Sequence, residues 1–128
     1  MLSKSHFIKA TEEFNTFENN VPAYYFRRKY HSEVSGHVKV TIAVCGFYEL
    51  FFNGEKITRG FLSPYISNTD DFIYYDLYEV MLRKGENVFG VILGNGLQNN
   101  PGGHIWDFDK ADFRSTPMFA MTVMKGEQ

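Results

Sequence analysis

What this sequence lacks narrows its possibilities quickly. A single cysteine, Cys45, excludes an intrachain disulfide and any metal site built wholly of cysteines. It follows Val44 in an apolar run, which predicts a buried, inert thiol. No apolar stretch is long enough to span a membrane, and Met1 to Ala10 has no signal-peptide core, so the chain reads as soluble. An excess of positive charge is absent too. Thirteen Lys and Arg face fifteen Asp and Glu, a net charge of −2 that argues against a nucleic-acid partner. The basic cluster Arg27-Arg28-Lys29 lies inside an aromatic run and reads as alternating strand positions. Neither a G-x-S-x-G nor an H-E-x-x-H motif occurs, and His6, His31, His37 and His104 have no motif around them. Repeats, heptads and low-complexity segments are missing as well.

What the sequence does have is aromatic residues and turns. Phe (13) and Tyr (8) are abundant in 128 residues, and both favour pleated, half-buried surfaces. The length fits one domain covering residues 1–128. Short apolar runs separated by turn residues predict strands at Pro22–Tyr30, His37–Cys45, Phe47–Phe52, Glu55–Arg59, Asp71–Leu77, Asn87–Leu93 and Thr116–Met124. In the clearest of them Val38, Val40, Ile42 and Val44 point one way, and Lys39 and Thr41 the other. Asn53-Gly54 is a strong hairpin signal, because both residues accept positive φ. Tyr78 to Lys84 reads as a short helical turn stopped by Gly85. About eight strands with close turn signals predict an all-β fold, an antiparallel sandwich of jelly-roll type.

Residues 94–115 show little periodicity and form a loop long enough to be functional. Within it stand Asn95, His104, Trp106, Asp107 and Asp109, among glycines that let the backbone turn. One reading makes this a carbohydrate contact: Trp106 stacks on a sugar face, His104 and Asp107 bond hydroxyls, and Asp109 helps hold a cation. Others make it an interface with a neighbouring domain, or a loop folded over the sandwich with Ile105, Trp106 and Phe108 buried. Glycoside hydrolysis needs two carboxyl groups about 5–9.5 Å apart across the scissile bond. Asp107 and Asp109 would alternate to opposite faces if extended, which suits that chemistry poorly. For a calcium ion, which takes 6–8 oxygens, the candidates are Glu12, Glu13, Glu18 and Asp70-Asp71. Each has a plainer reading as a solvated segment or a polar loop tip.

Several of these segments together resemble a known family. Gly46-Phe47-Tyr48-Glu49-Leu50 leading to Asn53-Gly54 is similar to the G-x-Y-E-x-x-x-N-G segment in the N-terminal sandwich domain of bacterial α-L-rhamnosidases. Tyr75-Asp76, Leu82, Gly85-Glu86-Asn87 and Gly94-Asn95-Gly96 resemble the Y-D…L-x-x-G-x-N…G-x-G stretch that follows, and Phe26-Arg27-Arg28-Lys29-Tyr30 the first strand. The resemblance implies a galactose-binding-domain-like jelly roll ahead of an (α/α) barrel that performs the hydrolysis. It also implies an accessory role, in recognising L-rhamnose-containing carbohydrate (in some members through calcium) or in packing on the barrel. Leu97 stands where the family usually has Trp, leaving Trp106 as the candidate to take its part. The expectation is therefore a non-catalytic accessory domain, a fragment of a larger glycosidase. The competing readings are a stand-alone lectin-like module and a purely structural domain without ligand.

Overall fold

The computed structural model describes residues 5–102 and 106–125. Among them are seven strands: β1 (Tyr24–Ser32), β2 (Gly36–Cys45), β3 (Phe47–Phe52), β4 (Glu55–Lys56), β5 (Tyr75–Leu82), β6 (Gly85–Gly94) and β7 (Met118–Lys125). They form two antiparallel sheets, in the orders β1-β6-β3-β4 and β5-β2-β7. No α-helix occurs among the described residues, and the fold is the expected β-sandwich.

The two-residue period of a strand makes this arrangement necessary, because each strand has one apolar face to cover. Val38, Val40, Ile42 and Val44 of β2 are all buried, as their alternation predicts. Facing them from the other sheet are Tyr48, Leu50 and Phe52 of β3 and Phe89, Val91 and Leu93 of β6. Val80 and Leu82 of β5 and Phe119 of β7 complete the core. Cys45 is buried, and desolvation pushes its thiol up to about 11, in keeping with an inert role.

Beyond shifts of one or two residues at strand ends, three boundaries differ from the sequence reading. Tyr78 to Lys84 makes no helical turn; Tyr78–Leu82 completes β5. That strand begins at Tyr75, four residues later than expected, since residues 68–72 are turned back by hydrogen bonds from the Asp71 and Phe72 amides to the Asn68 carbonyl. The return strand after Asn53-Gly54 is cut to Glu55–Lys56, although the hairpin forms with both residues at positive φ (48° and 84°). Beyond it the chain runs back beside β3, with the Ile57 amide bonded to the Leu50 carbonyl (2.7 Å) and the Tyr48 amide to the Ser63 carbonyl (2.8 Å).

Every connection except the β3–β4 hairpin passes from one sheet to the other. The register places tight turns at one end of the sandwich: residues 33–35, 53–54 and 83–84. At the opposite end, where β1, β3, β5 and β7 start and β2 and β6 finish, the segments 5–23, 63–74 and 95–117 gather. Between β2 and β3 the chain turns at Gly46, whose φ is 127° and where an added Cβ would meet the Gly94 carbonyl oxygen at 2.5 Å. No larger residue fits that approach.

Candidate functional site

Polar side chains fasten the three segments at the loop-rich end to one another. The Asn95 Nδ2 donates to the Val21 carbonyl (2.7 Å), and its Oδ1 accepts from Asn99 Nδ2 (2.9 Å). Fully buried Asn99 in turn accepts from the Asn15 amide (3.2 Å). Next to it, Gln98 donates to the Phe113 carbonyl (2.6 Å) and to the Ser115 hydroxyl (2.8 Å), and accepts from the Thr69 hydroxyl (3.1 Å). Arg114 donates to the Asn15 carbonyl and lies over the Phe14 ring at 4.8 Å. Buried amides need such partners; the bonds to Val21, Asn15 and Thr69 join segments far apart in sequence, while those of Asn99 to Asn95 and of Gln98 to Phe113 and Ser115 close the loop on itself. The two ends of the long loop, residues 95–99 and 113–115, are thus held against the body; a 3₁₀ turn forms at Gly96–Asn99 and another at Phe108–Lys110. The N-terminal segment is held too: Ile8 pairs with Phe119 on the edge of β7.

This places the sequence candidates as follows. Both polar atoms of Asn95 are committed to the fold, so its role is to fix the loop. His104 and Ile105 lie outside the described residues. Trp106 is 64% exposed and Phe108 only partly buried, so the pair does not close over the core as a covering loop would. Their rings lie parallel, 10° apart in plane and 6.1 Å between centroids. Gly102 permits this placement: its φ is 87°, and a Cβ there would fall 2.0 Å from the Trp106 carbonyl oxygen. Asp107 and Asp109 flank and enter the 3₁₀ turn and are both exposed, with Asp107 3.9 Å from Lys110.

The calcium candidates do not come together. Glu12 pairs with Lys9 at 2.8 Å, Asp71 accepts from Asn68 at 3.0 Å, and the Asp70 amide donates to Asn68 Oδ1 at 3.2 Å. Among the described residues no three His, Cys, Asp or Glu side chains cluster as metal ligands. That donor set does not fit an ion wanting six to eight oxygens. No helix of the described residues is long and apolar enough to cross a membrane.

The residues that carry the family resemblance are used inside the sandwich. Tyr48 of β3 donates its hydroxyl to Asp76 of β5 and lies 2.8 Å from the Tyr78 hydroxyl, a polar link between the two sheets. Burial first, then the bonds to Asp76 and Tyr78, holds the Tyr48 phenol far above its ordinary range, and burial raises Tyr78 as well. At the opposite end Asn53 and Asn87 are bonded to each other (3.1 Å), and Asn53 Oδ1 accepts from the Val88 amide (2.8 Å).

The sequence reading missed a second group of exposed side chains at the loop-rich end. Tyr65, Phe72 and Tyr74 form a chain of edge-to-face contacts, with centroids 6.5 Å and 5.2 Å apart and planes near perpendicular. From Tyr74 the backbone enters β5, whose outward face carries Tyr75, Leu77 and Met81, all exposed. The available signal was the two-residue spacing of Tyr75, Leu77 and, past the charged Glu79, Met81, apolar residues on a second face of the strand.

Comparison with known proteins gives a consistent result. The family model described as the α-L-rhamnosidase N-terminal domain matches residues 35–125. An α-L-rhamnosidase of Formosa agariphila is 43% identical over 78 residues, 59% of this chain and 8% of that protein. Among solved structures, the α-L-rhamnosidase from Dictyoglumus thermophilum superposes with a TM-score of 0.73 at 27% identity, over 94% of this chain and 14% of its own length. The α-L-rhamnosidase from Aspergillus terreus superposes at 0.77 and 19% identity, over 95% of this chain and 14% of that one, a likeness of fold. The chain thus spans a small part of each relative.

Proposed function

The chain belongs to the α-L-rhamnosidase N-terminal domain family, and from that membership we propose that it is a non-catalytic accessory domain of a rhamnoside-cleaving enzyme, contributing to recognition of the carbohydrate while an (α/α) barrel elsewhere in the enzyme performs the hydrolysis. The observation that carries this reading is the exposed, parallel Trp106–Phe108 pair on a loop pinned by Asn95, Gln98 and Asn99. A flat apolar face set in a polar rim suits a sugar ring, whose own faces are apolar and whose edge hydroxyls need partners. Pinning supports the same reading, since residues 95–99 and 113–115 fix where the segment carrying the pair leaves and rejoins the body, which limits the freedom lost on binding. The motif residues Tyr48, Asn53, Asp76 and Asn87 bond to one another and to backbone, consistent with a structural role for them.

Trp106→Ala separates the alternatives. It should leave the sandwich folded, as judged by its melting transition, and lower L-rhamnose affinity or the parent enzyme's kcat/KM by roughly two- to tenfold, the worth of one aromatic contact. An unfolded variant would assign Trp106 to structural support. Unchanged affinity and unchanged kcat/KM in a folded variant would remove the recognition reading. Turnover of an aryl α-L-rhamnoside by this chain alone, abolished by Asp107→Asn or Asp109→Asn, would overturn the non-catalytic assignment.

A further inference from the structure

We propose that the aromatic ridge of Tyr65, Phe72 and Tyr74, continuing onto the outward face of β5 at Tyr75 and Leu77, is the surface on which the catalytic portion of the same enzyme seats. The proposal rests on the accessory-domain reading and adds to it the surface through which such packing occurs. These five side chains are between 44% and 86% exposed. Phe and Tyr bury roughly 150–250 Å² each when covered, so together the ridge offers on the order of 500 Å². That is at the upper end of what a soluble monomer leaves as one apolar patch. It also matches one side of an interface between domains of one chain, which buries roughly 600–1,500 Å² in all.

Ring geometry distinguishes this ridge from the Trp106 pair. Planes at 75° and 80° to one another give a corrugated surface with no flat platform for a sugar ring. A corrugated apolar surface fits the side chains of another protein, which can interdigitate with it. The ridge is also fixed in place: Thr69 bonds to Gln98 at 3.1 Å, and the Asp71 and Phe72 amides bond to the Asn68 carbonyl at 2.9 and 3.0 Å. An interface built on ordered residues loses little entropy on docking.

The occupant follows from two further observations. β5 is an edge strand of its sheet, with β2 as its hydrogen-bonded neighbour. A free edge flanked by apolar side chains invites indiscriminate pairing unless something covers it. The solved relatives at 27% and 19% identity each have the matched region as only 14% of their length. A tethered neighbour meets the ridge at an effective concentration that an independent partner rarely reaches. The attached catalytic portion is therefore the partner favoured over a second copy of the chain.

Hydrogen exchange of this chain alone, compared with the longer enzyme that carries it, tests the assignment. Amides of residues 65–77 should exchange about tenfold or more slowly in the longer enzyme, while those of β2 are equally protected in both. The double substitution Tyr65→Ser and Tyr74→Ser should abolish that difference, and Phe17→Ser, another exposed aromatic, should preserve it. Equal exchange over 65–77 in both contexts would overturn the proposal. So would a concentration-dependent dimer of the isolated chain dissolved by the double substitution, or protection that appears only when L-rhamnose is added. Turnover of an aryl α-L-rhamnoside, read separately, tests the rhamnosidase assignment, so protection without turnover would retain the docking surface and reject that assignment.

Discussion

Asn87 offers the sharpest test of how this fold is held together. Its side chain is fully buried and uses its whole hydrogen-bonding capacity. Oδ1 accepts from the Arg83 amide (3.0 Å) and from Asn53 Nδ2 (3.1 Å), while Nδ2 donates to the carbonyls of Arg83 (2.8 Å) and Gly85 (3.2 Å). Asn87→Ala removes all four bonds and leaves four partner groups to find water or go without. Each orphaned buried group costs roughly 1–3 kcal/mol, and Arg83 and Asn53 are exposed enough to recover part of that. A net loss of about 3 kcal/mol is expected, large against a total stability of roughly 5–15 kcal/mol. Urea unfolding should show a lower midpoint with an unchanged slope. Thermal melts should drop by roughly 10–20 °C. Asn87→Asp adds a sign. The introduced carboxyl keeps the shape but, once ionised, is a buried charge facing two carbonyl oxygens, so its folded-state pKa lies above its unfolded one. The folded state then binds more protons between those two values, and the variant loses stability relative to Asn87→Ala as pH rises through that window. A loss under about 1 kcal/mol for Asn87→Ala, within the range of ordinary surface changes, would refute the claim that this amide holds the turn between β5 and β6.

Two further outcomes follow from the core. Ile42→Ala should cost about 2–5 kcal/mol in a denaturant melt, and Lys39→Ala, on the outward face of the same strand, no more than roughly 0.5 kcal/mol; equal losses would mean the register of β2 is misassigned. Cys45, its thiol pushed up to about 11 by burial, should resist alkylation at pH 8 in the folded protein and react at the rate of unfolding, so prompt labelling without denaturant would contradict its place in the core.

Local pattern foretold the strands whose faces differ and failed where they do not. β2 was legible because Val38, Val40, Ile42 and Val44 alternate with polar Lys39 and Thr41. β5 was misread in its second half because Leu77 and Met81 are as apolar as the buried Val80 and Leu82, so the two-residue period is hidden. That same doubling of apolar faces leaves a stripe on the outside of the sandwich. The loop-rich end was half legible. Trp106 stood out as a lone indole among glycines, but the bonds of Asn95 to Val21 and of Asn99 to Asn15 depend on partners brought in by the N-terminal segment. Hydrogen bonds spanning 74 to 86 positions leave no trace in a local window. Tyr65, Phe72 and Tyr74 looked like ordinary members of an aromatic-rich composition until their exposure was seen.

The Asn53-Gly54 hairpin also bears on how this protein ages. Asparagine before glycine is the pair most prone to lose its side-chain amide, because nothing at the glycine obstructs attack by its nitrogen on the neighbouring side-chain carbon. Here the fold restrains the reacting group: Oδ1 is held by the Val88 amide at 2.8 Å and Nδ2 is engaged by Asn87 at 3.1 Å, so the side chain is drawn toward β6. Attack requires that grip to be released. The chemical clock at this bond therefore runs mainly in molecules whose hairpin has opened, and conversion there removes the donor that Asn87 needs. Wear at one turn and loosening of the turn beside it reinforce each other, which ties the ageing of this Asn-Gly bond to the stability of a single pair of amides.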